Sequence, residues 1–90
     1  MVLVSIPKPD IEDVIDTVEN AFEYKYPIFK INEKQIFVRI NAWVRISITV
    51  QHDGLLSMTT HNCLVLVDTI SDLHIGQLKK KLLELELFFV

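Results

Sequence analysis

The chain has 90 residues, half of them apolar, and a formal net charge of −3 from nine basic and twelve acidic side chains. That length holds one domain, 1–90, which buries roughly 60 to 65% of its unfolded surface. No apolar run approaches the ~20 residues of a membrane span, and the negative balance argues against nucleic-acid binding through a broad positive field.

Val2, Val4 and Ile6 alternate with Leu3 and Ser5, which predicts a short first strand ended by Pro7. A helix follows. Pro9 suits its first helical position, Asp10, Glu12 and Asp13 complement the positive end of the dipole, and Ile11, Val14, Ile15, Val18, Ala21 and Phe22 recur at helical spacing. Tyr24, Tyr26 and Pro27 close it, because the residue before a proline avoids helical angles. Ile28, Phe29 and Ile31 then make a strand, and Asn32-Glu33-Lys34 turns the chain into Gln35.

From Val38 to Val50 apolar and polar residues alternate without a fault, the pattern of one long strand with two faces. Even positions face the core. Odd positions carry Arg39, Asn41, Trp43 and Arg45, a row that a purely structural sheet does not require. Gln51-His52-Asp53-Gly54-Leu55 fits a hairpin with a three-residue loop and a left-handed Gly54. That loop sets Val50 opposite Leu56, Ile48 opposite Met58, Thr49 opposite Ser57 and Ser47 opposite Thr59, keeping like faces together.

Thr60-His61-Asn62 interrupts the returning strand, so a bulge or second tight turn is expected there before Cys63 to Val67 resumes as an apolar run. Thr69-x-x-Asp72 reads as the cap of a last helix whose stripe is Ile75, Leu78, Leu82, Leu85 and Phe89, widened by Leu83, Leu87 and Phe88. Gly76 marks either a close backbone approach or a late start. The Leu87 to Val90 tail is expected to dock on the sheet or on another chain. The fold class is α+β: a two-layer, antiparallel meander sheet of three to five strands with two helices on one face, in the order β-α-β-β-β-α.

The chain contains only Gly54 and Gly76, so no glycine-rich phosphate loop or nucleophile elbow exists. His61-x-Cys63 lacks the second ligand pair of a zinc site. Glu12, Asp16 and Glu19 share helical spacing but no companion base or nucleophile stands beside them. No catalytic role, cofactor or metal is therefore expected. Cys63, the single cysteine, reads as a packed strand thiol. The opening residues lack the features of a secretory signal, and an intracellular, cytoplasmic setting is expected.

Charge is polarised, with Asp10, Glu12, Asp13, Asp16, Glu19 and Glu23 in one segment and bases at Arg39, Arg45 and Lys79 to Lys81. Arginine and tryptophan dominate interface hot spots, because a planar surface and a forked cation give much contact for little lost freedom. The alternative is structural: Trp43 packs beneath a loop and the arginines pair with Asp68 or a neighbour's acids.

Lys8-Pro9-Asp10-Ile11 opening an amphipathic helix, Tyr24-Lys25 closing it, Phe37-Val38-Arg39 in a strand, Cys63 to Asp68 before a loop and Leu78 to Leu87 in a final helix form a pattern of apolar positions along nearly the whole chain. In that pattern and in the order of its elements the chain resembles the kinase-associated C-terminal domain of AMP-activated and related protein kinases. The resemblance implies a non-catalytic module that docks regulatory subunits or binds anionic lipid, though the acidic first helix departs from the lipid-binding kind. The Alu-binding proteins of the signal recognition particle share a similar helix, three-strand, helix order, with far more basic strands. The expected function is a small protein-protein interaction module, a homodimer or a regulatory or scaffold subunit. Its contacts are Arg39, Asn41, Trp43 and Arg45 with Leu87, Phe88 and Phe89. The alternative is an RNA or anionic-lipid binder using the Arg39, Trp43 and Arg45 face.

Overall fold

A computed structural model of the chain describes the backbone of residues 9–62 and 65–89, and the side chains of all of these except 65–68 and 89. The strand expected at Val2, Val4 and Ile6, the thiol of Cys63 and the end of the tail at Val90 lie outside the described residues.

Helix α1 runs from Ile11 to Phe22. Its cap is Asp10, so Pro9 precedes the helix instead of opening it. The Asp10 carboxylate accepts the Asp13 N–H at 3.0 Å, and the Asp13 carboxylate accepts the Asp10 N–H at 3.1 Å. Two carboxylates three residues apart thus satisfy two otherwise orphaned donors. At the far end Glu23 and Tyr24 take left-handed angles, φ 54° and 61°. The Tyr24 N–H then reaches back to the Glu19 carbonyl at 3.0 Å, which terminates the helix before Pro27.

Five strands follow: β1 (Ile28–Asn32), β2 (Gln35–Arg39), β3 (Val44–Val50), β4 (Leu56–Asn62) and β5 (Val65–Leu73). Each pairs antiparallel with the next, in the order β1-β2-β3-β4-β5, and α2 (Ile75–Phe89) closes the chain. The α+β class and the helices on one side of an antiparallel meander are as the sequence implies. The described sheet has five strands, within the expected three to five, and all five follow α1 where the expected order placed three.

The difference arises chiefly inside the alternating segment, which is two strands. The chain reverses between Arg39 and Val44, where the Asn41 side-chain oxygen accepts the N–H groups of Trp43 at 2.7 Å and Val44 at 3.0 Å. This Asx turn needs neither glycine nor proline, so the alternation runs through it undisturbed. Pairing sets Arg39 against Arg45, Val38 against Ile46 and Ile36 against Ile48. Even residues meet even residues, and both strands keep their faces.

The next hairpin follows the expected register at all four pairs: Val50 with Leu56, Thr49 with Ser57, Ile48 with Met58 and Ser47 with Thr59. Gly54 sits at φ 87°, and its N–H donates to the Gln51 carbonyl at 2.9 Å. β4 and β5 pair with irregularities at both ends. Ile70 faces Met58 but Leu73 faces Leu56, so one extra residue near Asp72, at φ 57°, turns Leu73 into the core.

Thr69 and Asp72 therefore belong to β5, and do not cap α2. β-Branched residues suit a ladder, and the hydroxyls of Thr59 and Thr69 meet across it at 3.2 Å. The helix starts late, with the His74 N–H donating to the Gln77 side chain at 3.1 Å. A methyl group at Gly76 would meet nothing within 4 Å, so the glycine accompanies the late start and serves no close approach.

Both helices cover the even face. Val14, Val18 and Phe22 of α1 and Leu78 and Leu82 of α2 are buried with Ile36, Val38, Ile46, Ile48, Leu56 and Met58 of the sheet. Beyond this core, Tyr26 donates its hydroxyl to Glu86 of α2 at 2.8 Å, and the Lys25 ammonium lies 3.2 Å from the same oxygen. The Tyr26 bond and, less strongly, Lys25 hold the Glu86 carboxyl below its ordinary value against the opposing effect of burial. No described helix is long and apolar enough to cross a membrane.

Candidate functional site

With the helices on the even face, the odd residues form an open surface. Its central row crosses the sheet as Phe29, Phe37, Ser47, Thr59 and Thr69, each paired with the next. The adjoining row is Arg39, Arg45 and His61. Phe29 and Phe37 stack with ring centres 4.7 Å apart and planes at 19°. The Arg45 guanidinium lies 5.3 Å from the Phe37 ring centre, a cation over an aromatic face.

Trp43 stands in the turn that joins β2 to β3, not in a strand between the two arginines. The reversal places Arg39 and Arg45 directly across from each other and leaves Trp43 60% exposed beside them. Asn41 contributes by fixing that turn. A depression of about 630 Å³ is lined by Phe29, Phe37, Arg39, Trp43, Arg45 and His61 together with neighbours from the turn and the end of β4.

Among the described residues no carboxylate lies within ion-pair distance of Arg39 or Arg45; the described ion pairs join Lys25 to Glu86, Lys30 to Glu12 and Glu33, and Lys81 to Glu84. The Glu12 hydrogen bond, foremost, holds the Lys30 ammonium above its ordinary value. In the backbone ladder Asp68 is registered against Thr60, and its side chain lies outside the described ones.

The second expected contact is separate. Leu87 and Phe88 are 82% and 81% exposed on α2, in the helix layer. Phe89 belongs to the same helix, and its side chain lies outside the described ones. Phe29, Phe37 and His61 join the site without having been expected there from the sequence. Their signal was the odd parity they share with Arg39 and Arg45, readable once Asn41 is taken as a turn residue.

Chemically the face offers two fixed cations, an aromatic shelf and a hydroxyl-rich flank. These are groups for binding by stacking and charge-assisted hydrogen bonds. Among the described residues no three His, Cys, Asp or Glu side chains are placed to hold a metal ion. No protein-family model, no curated protein and no solved structure matches the chain.

Proposed function

We propose that this chain is a non-catalytic protein-interaction module, acting as a homodimer or as a regulatory or scaffold subunit, and that its contact surface is the open sheet face around Trp43. The observation that carries the reading is a 60% exposed tryptophan beside an uncovered Arg39 and Arg45 pair and a stacked Phe29 and Phe37. Large aromatic and arginine side chains gathered in one concave patch are the usual composition of an interface centre. The resemblance to kinase-associated domains favours the regulatory form.

The test compares the chain with its Trp43→Ala variant in capture from the native host and in sizing of the complex. Complex formation should weaken by about 2 kcal/mol, roughly 30-fold, while the fold is kept. Unchanged assembly would remove the face from the reading, and a monomer at high concentration would remove the homodimer. The same aromatics would stack on unpaired bases, which supports an RNA-binding alternative. Affinity for RNA would fall with salt as the number of phosphates neutralised, more steeply than a protein contact that rests on aromatic packing and at most two charge pairs.

A further inference from the structure

Like charges set directly across a sheet repel each other. Arg39 and Arg45 hold such positions on β2 and β3, on the face opposite the two described helices, and no described carboxylate offsets them. Lys25 and Lys30, by contrast, are each matched with acids of this chain. The pair is therefore a local positive site in a protein of net charge −3.

Its extent limits what it can take. Beyond His61 and the arginines the face continues as Ser47, Thr49, Ser57, Thr59 and Thr69, hydroxyl groups with no further cation among the described residues of that face. A nucleic-acid strand needs cations at successive phosphates. Two guanidinium forks side by side match one or two carboxylates, each able to accept paired hydrogen bonds. Phe29, 44% exposed, and Trp43 add apolar surface on the same depression.

Resting on the protein-binding role proposed above, we infer that the open face takes a short acidic segment of another protein, its carboxylates on Arg39 and Arg45 and an aromatic or aliphatic side chain against Phe29 and Trp43. The full chain is panned against a displayed library of random short peptides, and the selected peptides are measured by fluorescence anisotropy. Enriched peptides should carry Asp or Glu beside an aromatic or aliphatic residue. An Arg39→Glu, Arg45→Glu variant should lose about tenfold or more in affinity and bind the Lys-for-Glu version of the same peptide instead. An Arg39→Gln, Arg45→Gln variant shows the same loss if the reversed pair does not fold.

Enriched peptides without acidic bias, yet lost with Trp43→Ala, would overturn the acidic partner and leave the protein-binding role standing. Oligouridylate or phosphatidylserine vesicles binding more tightly than any selected peptide would overturn both, as would a panning without enrichment. A concentration-dependent dimer abolished by Glu12→Lys, Asp16→Lys would replace the foreign segment with the acidic helix of a second copy.

Discussion

The contact that ties α2 to the end of α1 makes a quantitative prediction. Tyr26 donates to Glu86 at 2.8 Å, and the Glu86 side chain is only 15% exposed, whereas Lys25, at 53%, adds a largely solvated charge. A hydrogen bond to a charged group nets about 1.5–3 kcal/mol, and residual solvent access at this partly buried site brings it to about 1 kcal/mol. The exposed lysine contributes a few tenths. Tyr26→Phe removes the hydroxyl and leaves the ring, which meets Phe22 edge-on at 5.0 Å and 86°. Glu86→Gln keeps an acceptor and removes the charge. The two single variants and the double variant form a cycle, followed by urea unfolding with far-ultraviolet circular dichroism, since the exposed Trp43 is a poor reporter of the core.

The coupling should be about 1 kcal/mol near pH 7, and its pH dependence follows from both partners. Glu86 has a folded value below the ordinary carboxylate one of about 4.3, so its contribution is complete above that pH and is lost as pH falls through the folded value. The Tyr26 phenol is raised, first by its bond to Glu86, so the neutral donor contributes fully below about pH 10 and loses this as pH rises through its folded value. Between about pH 5 and 9 the coupling should therefore be flat. A coupling under about 0.3 kcal/mol near pH 7, or one that persists undiminished near pH 3, would refute the reasoning.

The two glycines should respond with opposite sign. Gly54→Ala forces an L side chain to φ 87° and should cost about 1 kcal/mol or more, whereas Gly76→Ala, with open space around the new methyl in α2, should gain about 0.5 kcal/mol; thermal unfolding reads both. Arg39→Thr should raise stability by a few tenths of a kcal/mol by removing the repulsion with Arg45, an effect that shrinks with added salt, while weakening capture of the partner; a loss of stability at low salt would show that the pair is not strained.

Much of the core was legible because it depends on patterning alone. Val14, Val18, Phe22, Leu78 and Leu82 recur at helical spacing, and Ile36, Val38, Ile46 and Ile48 at every second position; each is buried. The Gly54 hairpin was legible to the residue because glycine is the cheap way to a positive φ. The failures share another cause. At Asn41 and at Asp72 the chain turns or bulges through residues whose side chains or left-handed angles do the work without glycine or proline, and such positions carry little signal. Thr69-x-x-Asp72 matched a cap by spacing, but a continuing ladder outweighs a cap that must start a helix against it.

The misplaced strand boundary still left Arg39 and Arg45 on one face, and the reason is geometric. Regular pairs in all four ladders join residues of like parity: Phe29 with Phe37, Arg39 with Arg45, Ser47 with Thr59 and Thr59 with Thr69. A loop that preserves parity lets the odd positions of distant segments gather on one face, whether the segment is read as one strand or two. What the turn at Asn41 changes is distance. In a single strand Arg39 and Arg45 would stand six residues apart, about 20 Å at the strand rise, too far to share one carboxylate-bearing segment of a few residues. Folded back, they are cross-strand neighbours beside Trp43, and a row that only decorates a strand becomes a compact cationic and aromatic patch.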